Sequence, residues 1–257
     1  MSLHEGRRLA AAQVETCNVQ VTDREGVSRE FLADLDERLL HSGLAAAVGL
    51  PHECGTGTCG MCKATLVTGD IDDLWGDAPG KKACRRRGEV LLCQSSARSD
   101  VTFQLKSAFT APTEPSCDWR PGQLQLWRRL TSDVALFRCH LDAPIAYDAG
   151  QFALVEIDGL AGPRAWSMIA FAPDRPFLDF LVRRAPGGGA SELLFSGATI
   201  AQPVRIFGPL GKATWRPEED RPFVAIAGGS GIAGMLAIID RLWQADTRPT
   251  EPSQVFF

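Results

Sequence analysis

Long apolar runs are missing from this sequence of 257 residues. The N-terminal stretch MSLHEGRRLAAAQVE contains no hydrophobic segment of the kind found in signal peptides. No stretch reaches the roughly 18 uninterrupted apolar residues that a membrane-spanning helix requires. We therefore expect a soluble, cytoplasmic protein that has no membrane partner.

An excess of positive charge is missing as well. The formal net charge is −4, which argues against nucleic acid as a partner. Histidine is scarce, and the four histidines, His4, His41, His52 and His140, show no metal-ligand spacing. Hydrophobic residues, in contrast, make up 45% of the chain, which is enough to bury a core and to form two domains or slightly more.

Cysteine is plentiful, with three of the eight cysteines falling within nine positions. Cys54, Cys59 and Cys62 follow the pattern C-x4-C-x2-C, and Cys93 comes much later. In a reducing compartment such a group more often holds a metal or does redox work than forms disulfides. The spacing is that of a plant-type 2Fe-2S site, in which one loop supplies most ligands and a distant segment the last. Structural zinc, which usually takes two separated cysteine pairs, is the alternative.

The fourth ligand of this predicted cluster has two candidates. Cys84 lies in a basic run that we expect to be solvated, whereas Cys93 follows two leucines and can be shielded from solvent. We therefore predict Cys93. The glycines of the loop, Gly55, Gly57 and Gly60, let the backbone come close to the cluster so that its N–H groups point at the sulfurs.

The chain from about residue 14 to residue 106 resembles a plant-type ferredoxin domain, which implies an α+β (β-grasp) fold, and we assign residues 1–106 to it. The segment Asp73–Gly80 further resembles the ferredoxin module of reductases that serve bacterial multicomponent monooxygenases, the toluene 4-monooxygenase reductase type in particular. Apolar periodicity agrees with this fold. Strand alternation is seen at Cys17, Val19 and Val21 and at Val101, Phe103 and Leu105, and one helical face carries Leu40, Leu44, Ala47 and Val48.

A polar stretch with prolines follows, and we predict a linker over 107–122. Short apolar segments bounded by glycine, proline or aspartate then predict a small antiparallel β-barrel over 123–222. The predicted strands are Leu124–Leu130, Val134–Leu141, Phe152–Ile157, Phe177–Val182 and Val204–Phe207.

The motif Arg164-Ala165-Trp166-Ser167 resembles the R-x-Y-S signature of the FAD-binding barrel in the ferredoxin–NADP reductase superfamily. The resemblance implies that Arg164 holds the flavin pyrophosphate and that Trp166 packs on the isoalloxazine ring. It also implies that Ser167, the predicted catalytic residue, faces flavin N5. Trp166 replaces the usual tyrosine, so a flat surface is kept while a hydroxyl is lost.

Two glycine-rich segments downstream strengthen this resemblance. Gly187–Ser191 corresponds to the segment that opens a helix under the flavin pyrophosphate, which implies cofactor-binding roles for Gly189 and Ser191. An anion at a helix N-terminus meets free N–H groups and the positive end of the dipole. Gly208–Gly211 completes the set, and we predict an FAD-binding barrel.

The last segment, 223–257, resembles the start of the NAD(P)-binding domain in the same superfamily, which implies an α/β fold. An apolar strand, a glycine turn and an apolar helix to about Trp243 would bring the cofactor phosphates to a helix N-terminus. Gly234 replaces the superfamily's proline, and Val255–Phe257 predicts the opening of a second strand, so we expect an incomplete nucleotide domain of a longer reductase. The predicted turn residues are Gly228, Gly229, Ser230 and Gly231.

These resemblances imply an enzyme that passes electrons from NAD(P)H through FAD to a 2Fe-2S cluster. The flavin is needed because nicotinamide gives electrons in pairs and the cluster accepts them singly. The implied acceptor is a non-haem iron oxygenase component or its ferredoxin relay, and we expect a monomer. The alternatives are a related reductase of a small organic substrate, a fragment without NAD(P)H activity, and a non-enzymatic metal-binding module.

Two charged groups near the cysteines are open to two interpretations. The basic run Lys81–Arg87 and the acidic residues could each be a solvated face, which is the interpretation we favour here, or could steer a partner by complementary charge. The acidic residues are Asp70, Asp72, Asp73 and Asp77.

Overall fold

The computed structural model describes residues 15–112, 116–196, 201–219, 222–245 and 249–257. His4, the first 14 positions of the predicted ferredoxin domain and positions 113–115 of the predicted linker lie outside the described residues. Among the helices that are described, none is long and apolar enough to cross a membrane.

The first domain is a five-stranded mixed sheet in the order β2-β1-β7-β3-β5, with a helix packed against it. β1 and β7 pair in parallel, and the other pairs are antiparallel. The predicted alternation is confirmed, because Cys17, Val19 and Val21 are all buried. The elements are β1 Thr16–Thr22, β2 Ser28–Asp34, α1 Leu39–Ala45, β3 Lys63–Thr68, β4 Ile71–Asp73, β5 Glu89–Leu91, β6 Ser95–Ala97 and β7 Val101–Leu105.

The helix before the cysteine loop is shorter than the apolar pattern predicts. α1 ends at Ala45, and Ala47 adopts a left-handed backbone with φ of 56°. The N–H of Val48 donates to Gly43 O at 2.8 Å and that of Ala47 to Leu44 O at 3.0 Å, which satisfies the last carbonyls of the helix. Ala47 and Val48 therefore belong to the turn that leads the chain into the cysteine loop.

The second domain is a six-stranded antiparallel sheet in the order β11-β10-β13-β8-β9-β12. Met168, just after β11, forms a bridge with Phe180 of β12, so the two edge strands meet and the sheet nearly closes into a barrel. The predicted antiparallel barrel is therefore confirmed. The elements are β8 Asp118–Arg129, β9 Val134–Leu141, β10 Phe152–Ile157, β11 Arg164–Ser167, β12 Phe177–Arg183, α2 Gly189–Ser196 and β13 Gln202–Leu210.

The described part of the predicted linker is not a free tether. Phe109 N–H donates to Asp23 Oδ2 at 3.0 Å and Thr110 N–H to Gly49 O at 2.7 Å, which fixes this stretch to the first domain. β8 begins at Asp118, five residues before the predicted barrel, because the backbone from there on pairs with β13. The domain boundaries at 106 and 123 remain predictions.

The third unit is a strand, a glycine turn, a helix and a second strand, as predicted. β14 and β15 pair in parallel, and α3 connects them. The bounds are β14 Val224–Ile226, α3 Ile232–Gln244 and β15 Gln254–Phe256.

The first two domains share one buried core. Leu154 of β10 and Phe207 and Leu210 of β13 belong to the same hydrophobic cluster as the first domain's core. His41 of α1 is only 1% exposed and stacks on Phe207 with ring centroids 5.0 Å apart. The cysteine loop, which follows α1, is thereby held against the barrel.

Candidate cofactor sites

The four predicted cluster ligands come together around the loop between α1 and β3. Cys54, Cys59 and Cys62 lie on this loop, and Cys93 lies on a short 3-10 helix, Leu92–Gln94. The N–H of Leu92 donates to Cys62 O at 3.1 Å, which ties the distant segment to the loop. Cys62 Sγ and Cys93 Sγ are 3.2 Å apart, and both side chains are buried.

The thiols form two pairs. No three potential ligand side chains among the residues described converge on one ion position. Cys62 contacts Cys93 through sulfur, while the N–H of Cys59 donates to Cys54 Sγ at 3.4 Å. A 2Fe-2S cluster held by four cysteines takes two thiolates on each iron. Two pairs on one loop and its neighbouring segment fit this requirement.

Backbone N–H groups surround Cys54. Thr56 and Thr58, like Cys59, donate to its sulfur at 3.4 Å. Burial alone would raise the pKa of the Cys54 thiol, but these donors lower the pKa to about 6. A thiol that ionises this readily is prepared to act as a metal ligand, because the thiolate is the ligand form.

The loop reaches this geometry through glycines in the left-handed region. Gly55, Gly57 and Gly60 have φ values of 65°, 84° and 78°. A methyl group added at Gly57 would lie 2.9 Å from Cγ of Gln94, and one at Gly60 would lie 2.8 Å from Ala83 Cβ. Glycine is therefore needed here both for the backbone dihedrals and for the close approach of neighbouring segments.

The rival fourth thiol, Cys84, stands apart from the group. It follows a 3-10 helix, Pro79–Ala83, and is half-buried. Burial raises the pKa of its thiol, and none of the described N–H or S–H groups contacts its sulfur. In contrast, the pKa of Cys93 is lowered, mainly because its sulfur accepts a hydrogen bond from Cys62. The geometry favours the predicted Cys93.

The residues predicted to bind the flavin lie on β11, one strand away from the cysteine loop. β11 pairs with β10, so that Leu154 faces Ala165 and Ala153 faces Trp166. A methyl group at Gly55 would lie 3.1 Å from Leu154 Cδ1. The loop that carries the thiols therefore rests on the strand next to the predicted flavin motif.

A cavity of about 780 Å³ opens between these two parts of the molecule. It is lined by Cys54, Thr58 and Trp75 on one side and by the segment 161–165 on the other. Arg164 lies in this wall, where its Nη1 donates to Ala161 O at 3.0 Å and to Gly162 O at 2.7 Å. A volume of this size is typical of a cofactor pocket, roughly 300–1,000 Å³.

Trp166 and Ser167, the other residues of the predicted flavin motif, lie in different surroundings. Trp166 is half-buried and packs on Phe180 of the barrel core, with ring centroids 5.8 Å apart. Ser167 lies beside the third unit, since a methyl group at Gly234 would be 3.5 Å from its Oγ. The unit predicted to bind nicotinamide therefore begins its helix next to the serine predicted to face flavin N5.

The glycine-serine segment opens helix α2 as predicted, but its serine is engaged by its own loop. Ser191 is buried, and its Oγ accepts the N–H of Ala185 at 3.0 Å and contacts Gly188 O at 3.2 Å. The hydroxyl therefore shapes the turn, and backbone N–H groups at Gly189 are what the segment offers to an anion.

The predicted nucleotide turn is open. Gly229–Gly231 forms a 3-10 turn directly before α3, and Gly229 has a φ of 53°. A methyl group on Gly228, Gly229 or Gly231 would meet nothing within 4 Å. No side chain caps α3, and the N–H of Ile232, its first residue, donates to carbonyl oxygens of the turn, Gly229 O and Ser230 O.

Some residues of the site were missed by the sequence analysis. Gln94 covers the loop, with Nε2 3.8 Å from Cys93 Sγ, and its position directly after Cys93 was a usable signal. Leu154 and His41 join the two domains, and nothing local in the sequence marks them. His52 donates from its Nδ1 to Leu50 O at 2.8 Å, so its ring supports the backbone of the loop.

A cysteine-rich ferredoxin-like domain against a flavin-type barrel defines an iron–sulfur flavoprotein. Comparison with known families agrees: residues 22–98 match the 2Fe-2S iron-sulfur cluster binding domain, and residues 121–215 match the oxidoreductase FAD-binding domain. The chain is 33% identical over 224 residues to the ferredoxin–NAD(P)(+) reductase CarAd of Metapseudomonas resinovorans, covering 85% of this chain and 67% of that protein. The chain belongs to the family of ferredoxin–NAD(P)(+) reductase components of oxygenase systems.

Other relatives support this assignment. The ferredoxin–NAD(+) reductase component of the alkene monooxygenase system of Xanthobacter autotrophicus is 33% identical over 213 residues, which are 82% of this chain and 64% of that protein. A solved ferredoxin reductase of carbazole 1,9a-dioxygenase superposes with a TM-score of 0.80 at 28% identity, covering 94% of this chain and 71% of that one. The chain thus spans about two thirds of the length of these relatives.

Proposed function

We propose that this chain belongs to a reductase that passes electrons from NAD(P)H through FAD to a 2Fe-2S cluster and on to a non-haem iron oxygenase component. The contact of the cysteine loop with β10, the strand paired with the predicted flavin motif, carries the proposal. Gly55 rests on Leu154, and Cys54 and Arg164 line one cavity. Such a layout suits two redox groups that exchange electrons directly.

For the cluster, we propose four cysteine ligands. The N–H groups of Thr56, Thr58 and Cys59 stabilise negative charge on the Cys54 sulfur, and Gln94 helps to shield the buried pair. Hydrogen bonds to ligand sulfurs are a main means of tuning the potential of such a centre. The proposed ligands are Cys54, Cys59, Cys62 and Cys93.

For the flavin and the nucleotide, we propose the sites described above. The flavin, when bound, supplies the ability to exchange electrons both in pairs and singly. Arg164 and the N–H groups at Gly189 would hold the pyrophosphate, Trp166 would offer a ring face, and Ser167 would present its hydroxyl where the third unit begins. The proposed nucleotide turn consists of Gly228, Gly229, Ser230 and Gly231.

The relatives' names support the oxygenase as acceptor, since they include reductase components of alkene monooxygenase and propane 2-monooxygenase systems. We further propose that the protein works as a monomer in the cytoplasm, because a reducing compartment suits eight cysteines that form no disulfide. Use of NAD(P)H is proposed for the complete reductase.

Cofactor content and electron delivery test this function. The purified protein is expected to contain iron, acid-labile sulfide and FAD, and to be coloured. After chemical reduction, it should pass electrons to an oxygenase component encoded beside it and support substrate oxidation. A colourless zinc protein would overturn the cluster, and reduction of small organic acceptors without any transfer to an oxygenase would overturn the proposed partner.

A further inference from the structure

Four basic side chains border the cysteine loop, and we name them the basic rim: Lys82, Arg85, Arg86 and Arg87. Lys82 lies in the 3-10 helix Pro79–Ala83, and the three arginines follow in the same segment, before β5. This segment touches the loop directly, because Gly80 N–H donates to Gly57 O at 2.8 Å. On its other side, β5 pairs with β3, the strand that follows Cys62.

Three nearby acidic side chains are already engaged, whereas the side chains of the basic rim are not. Asp73 pairs with Lys81 and Asp72 with Arg98. Glu89 accepts the backbone N–H groups of Arg85 and Arg86 at 2.8 and 3.1 Å, and its carboxylate also lies 3.7 Å from Lys63 Nζ.

Within the part of the chain that the structure describes, no rim side chain forms an ion pair or a hydrogen bond, and all four are exposed. The uncommitted carboxylates nearest along the chain are Asp77 and Asp70, and Glu53 lies on the cysteine loop itself. Even when all three are counted against the four basic side chains, an excess of positive charge remains. It does so in a chain whose net charge is −4, so the charge of this face is opposite to that of the molecule as a whole.

An exposed apolar side chain lies on the cysteine loop, next to Gly60, which approaches Ala83 and Gly80 of the segment that carries the basic rim. Met61 is 54% exposed and sits between Cys59, which is also exposed, and Cys62. Methionine adapts its shape to a partner surface, and protein interfaces commonly combine an apolar centre with a polar rim. The exposed edge of the cysteine loop therefore has the layout of a docking surface.

We propose that this face docks an electron-accepting protein whose surface is acidic around its own redox centre. The proposal rests on the proposed function and names the kind of partner that its cluster serves. In the complex, a cluster held by the four proposed cysteines would supply one electron to the partner's metal centre, and no covalent bond would form or break. The negative remainder of the molecule repels an acidic partner, so the basic rim selects the productive orientation.

The test uses the full chain with its cofactors, reduced by a stoichiometric amount of reductant. The electron acceptors are two proteins of higher redox potential and opposite charge, the acidic plastocyanin and the basic cytochrome c. Rapid mixing measures the second-order rate of electron transfer as ionic strength is varied. We expect the rate with plastocyanin to fall as salt is added. In the variant Arg85→Glu/Arg86→Glu/Arg87→Glu it should fall at least about 10-fold at low salt, within the range of electrostatic steering.

The matched control changes the net charge equally on other elements: Arg24→Glu/Arg128→Glu/Arg175→Glu should leave the rate with plastocyanin within about 2-fold of the parent. The neutral variant Arg85→Gln/Arg86→Gln/Arg87→Gln, which avoids new repulsion near Glu89, should give an intermediate loss. Equal losses in the rim and control variants would overturn the proposal, as would a rate with plastocyanin that does not depend on salt.

A small acceptor separates this proposal from the proposed function. Ferricyanide needs no specific docking surface, so the parent and the rim variant should both reduce it through the cluster. If neither reduces ferricyanide, the proposed function fails. If both reduce it while the preference for plastocyanin is absent, the function stands and the docking proposal is overturned. The docking proposal would also be overturned if the protein bound duplex DNA through the basic rim as tightly as it binds plastocyanin.

Discussion

Replacing Leu154 by alanine tests whether the barrel positions the cysteine loop. Leu154 is fully buried, and it lies between Gly55 of the loop and Phe207, its partner on β13. A Leu→Ala change in a core costs about 2–5 kcal/mol, and more when the site cannot collapse. Here one neighbour is glycine backbone and the other a fully buried ring, so we expect about 3–5 kcal/mol.

The assay has two readouts. Denaturant unfolding followed by circular dichroism gives the loss of stability, and visible absorbance gives the rate at which a chelator removes iron. The control Leu178→Ala lies in the separate barrel core at 2% exposure and should lose comparable stability without faster iron loss. We expect iron to leave faster only in Leu154→Ala. Equal iron loss in the two variants, or a stability loss below about 1 kcal/mol, would refute the reasoning.

Three further predictions concern single residues. Cys93→Ser should abolish the visible spectrum of the cluster while Cys84→Ser retains it, and the reverse would mean that the fourth ligand is wrong. Tyr147 is the single tyrosine, and burial raises the pKa of its hydroxyl to about 12. The difference in tyrosinate absorbance between the parent and Tyr147→Phe should therefore develop near that pH. A midpoint near pH 10 would contradict the burial of the hydroxyl. Gly60→Ala should destabilise more than Gly26→Ala, because both have positive φ but only Gly60 has a neighbour within 4 Å, and equal unfolding midpoints would contradict this.

Tyr147 also makes the stability of the folded protein depend on pH in the alkaline range. The buried hydroxyl donates to Ala170 O at 2.8 Å and is held neutral in the folded state. Because its pKa is raised by folding, its contribution is fully present below pH 10, the ordinary value, and is lost as the pH rises towards 12. Alkaline unfolding of Tyr147→Phe should therefore begin at a higher pH than that of the parent protein.

The cysteine loop and the strands were predictable because their signals are local. The spacing of Cys54, Cys59 and Cys62 and the alternation of buried residues in β1 and β7 can be recognised within short stretches of sequence. The bounds of β9 and β10 match the predicted ones, and the turn before α3 also forms as expected. Local sequence patterns of this kind match the folded structure because the residues that form the pattern are also the ones that are buried and hydrogen-bonded.

What could not be predicted depends on contacts between distant segments. Leu154 looks like any strand leucine until the cysteine loop rests on it, and His41 looks like a surface histidine until it stacks on Phe207. The start of β8 at Asp118 follows from pairing with β13, a segment more than eighty residues away. Ser191 matches its motif, yet the position of its hydroxyl is set by the loop around Ala185.

Intramolecular electron transfer is the most direct test of the central claim that the flavin and the cluster form one electron path. In the protein carrying both cofactors, a light pulse reduces the flavin, and the reduction of the cluster is followed by absorbance and by electron paramagnetic resonance. We predict that the cluster is reduced at a rate that does not depend on protein concentration, because Leu154 contacts the cysteine loop and pairs with the strand of the proposed flavin motif. A rate proportional to concentration, or a reduced flavin beside a cluster that stays oxidised, would contradict the account.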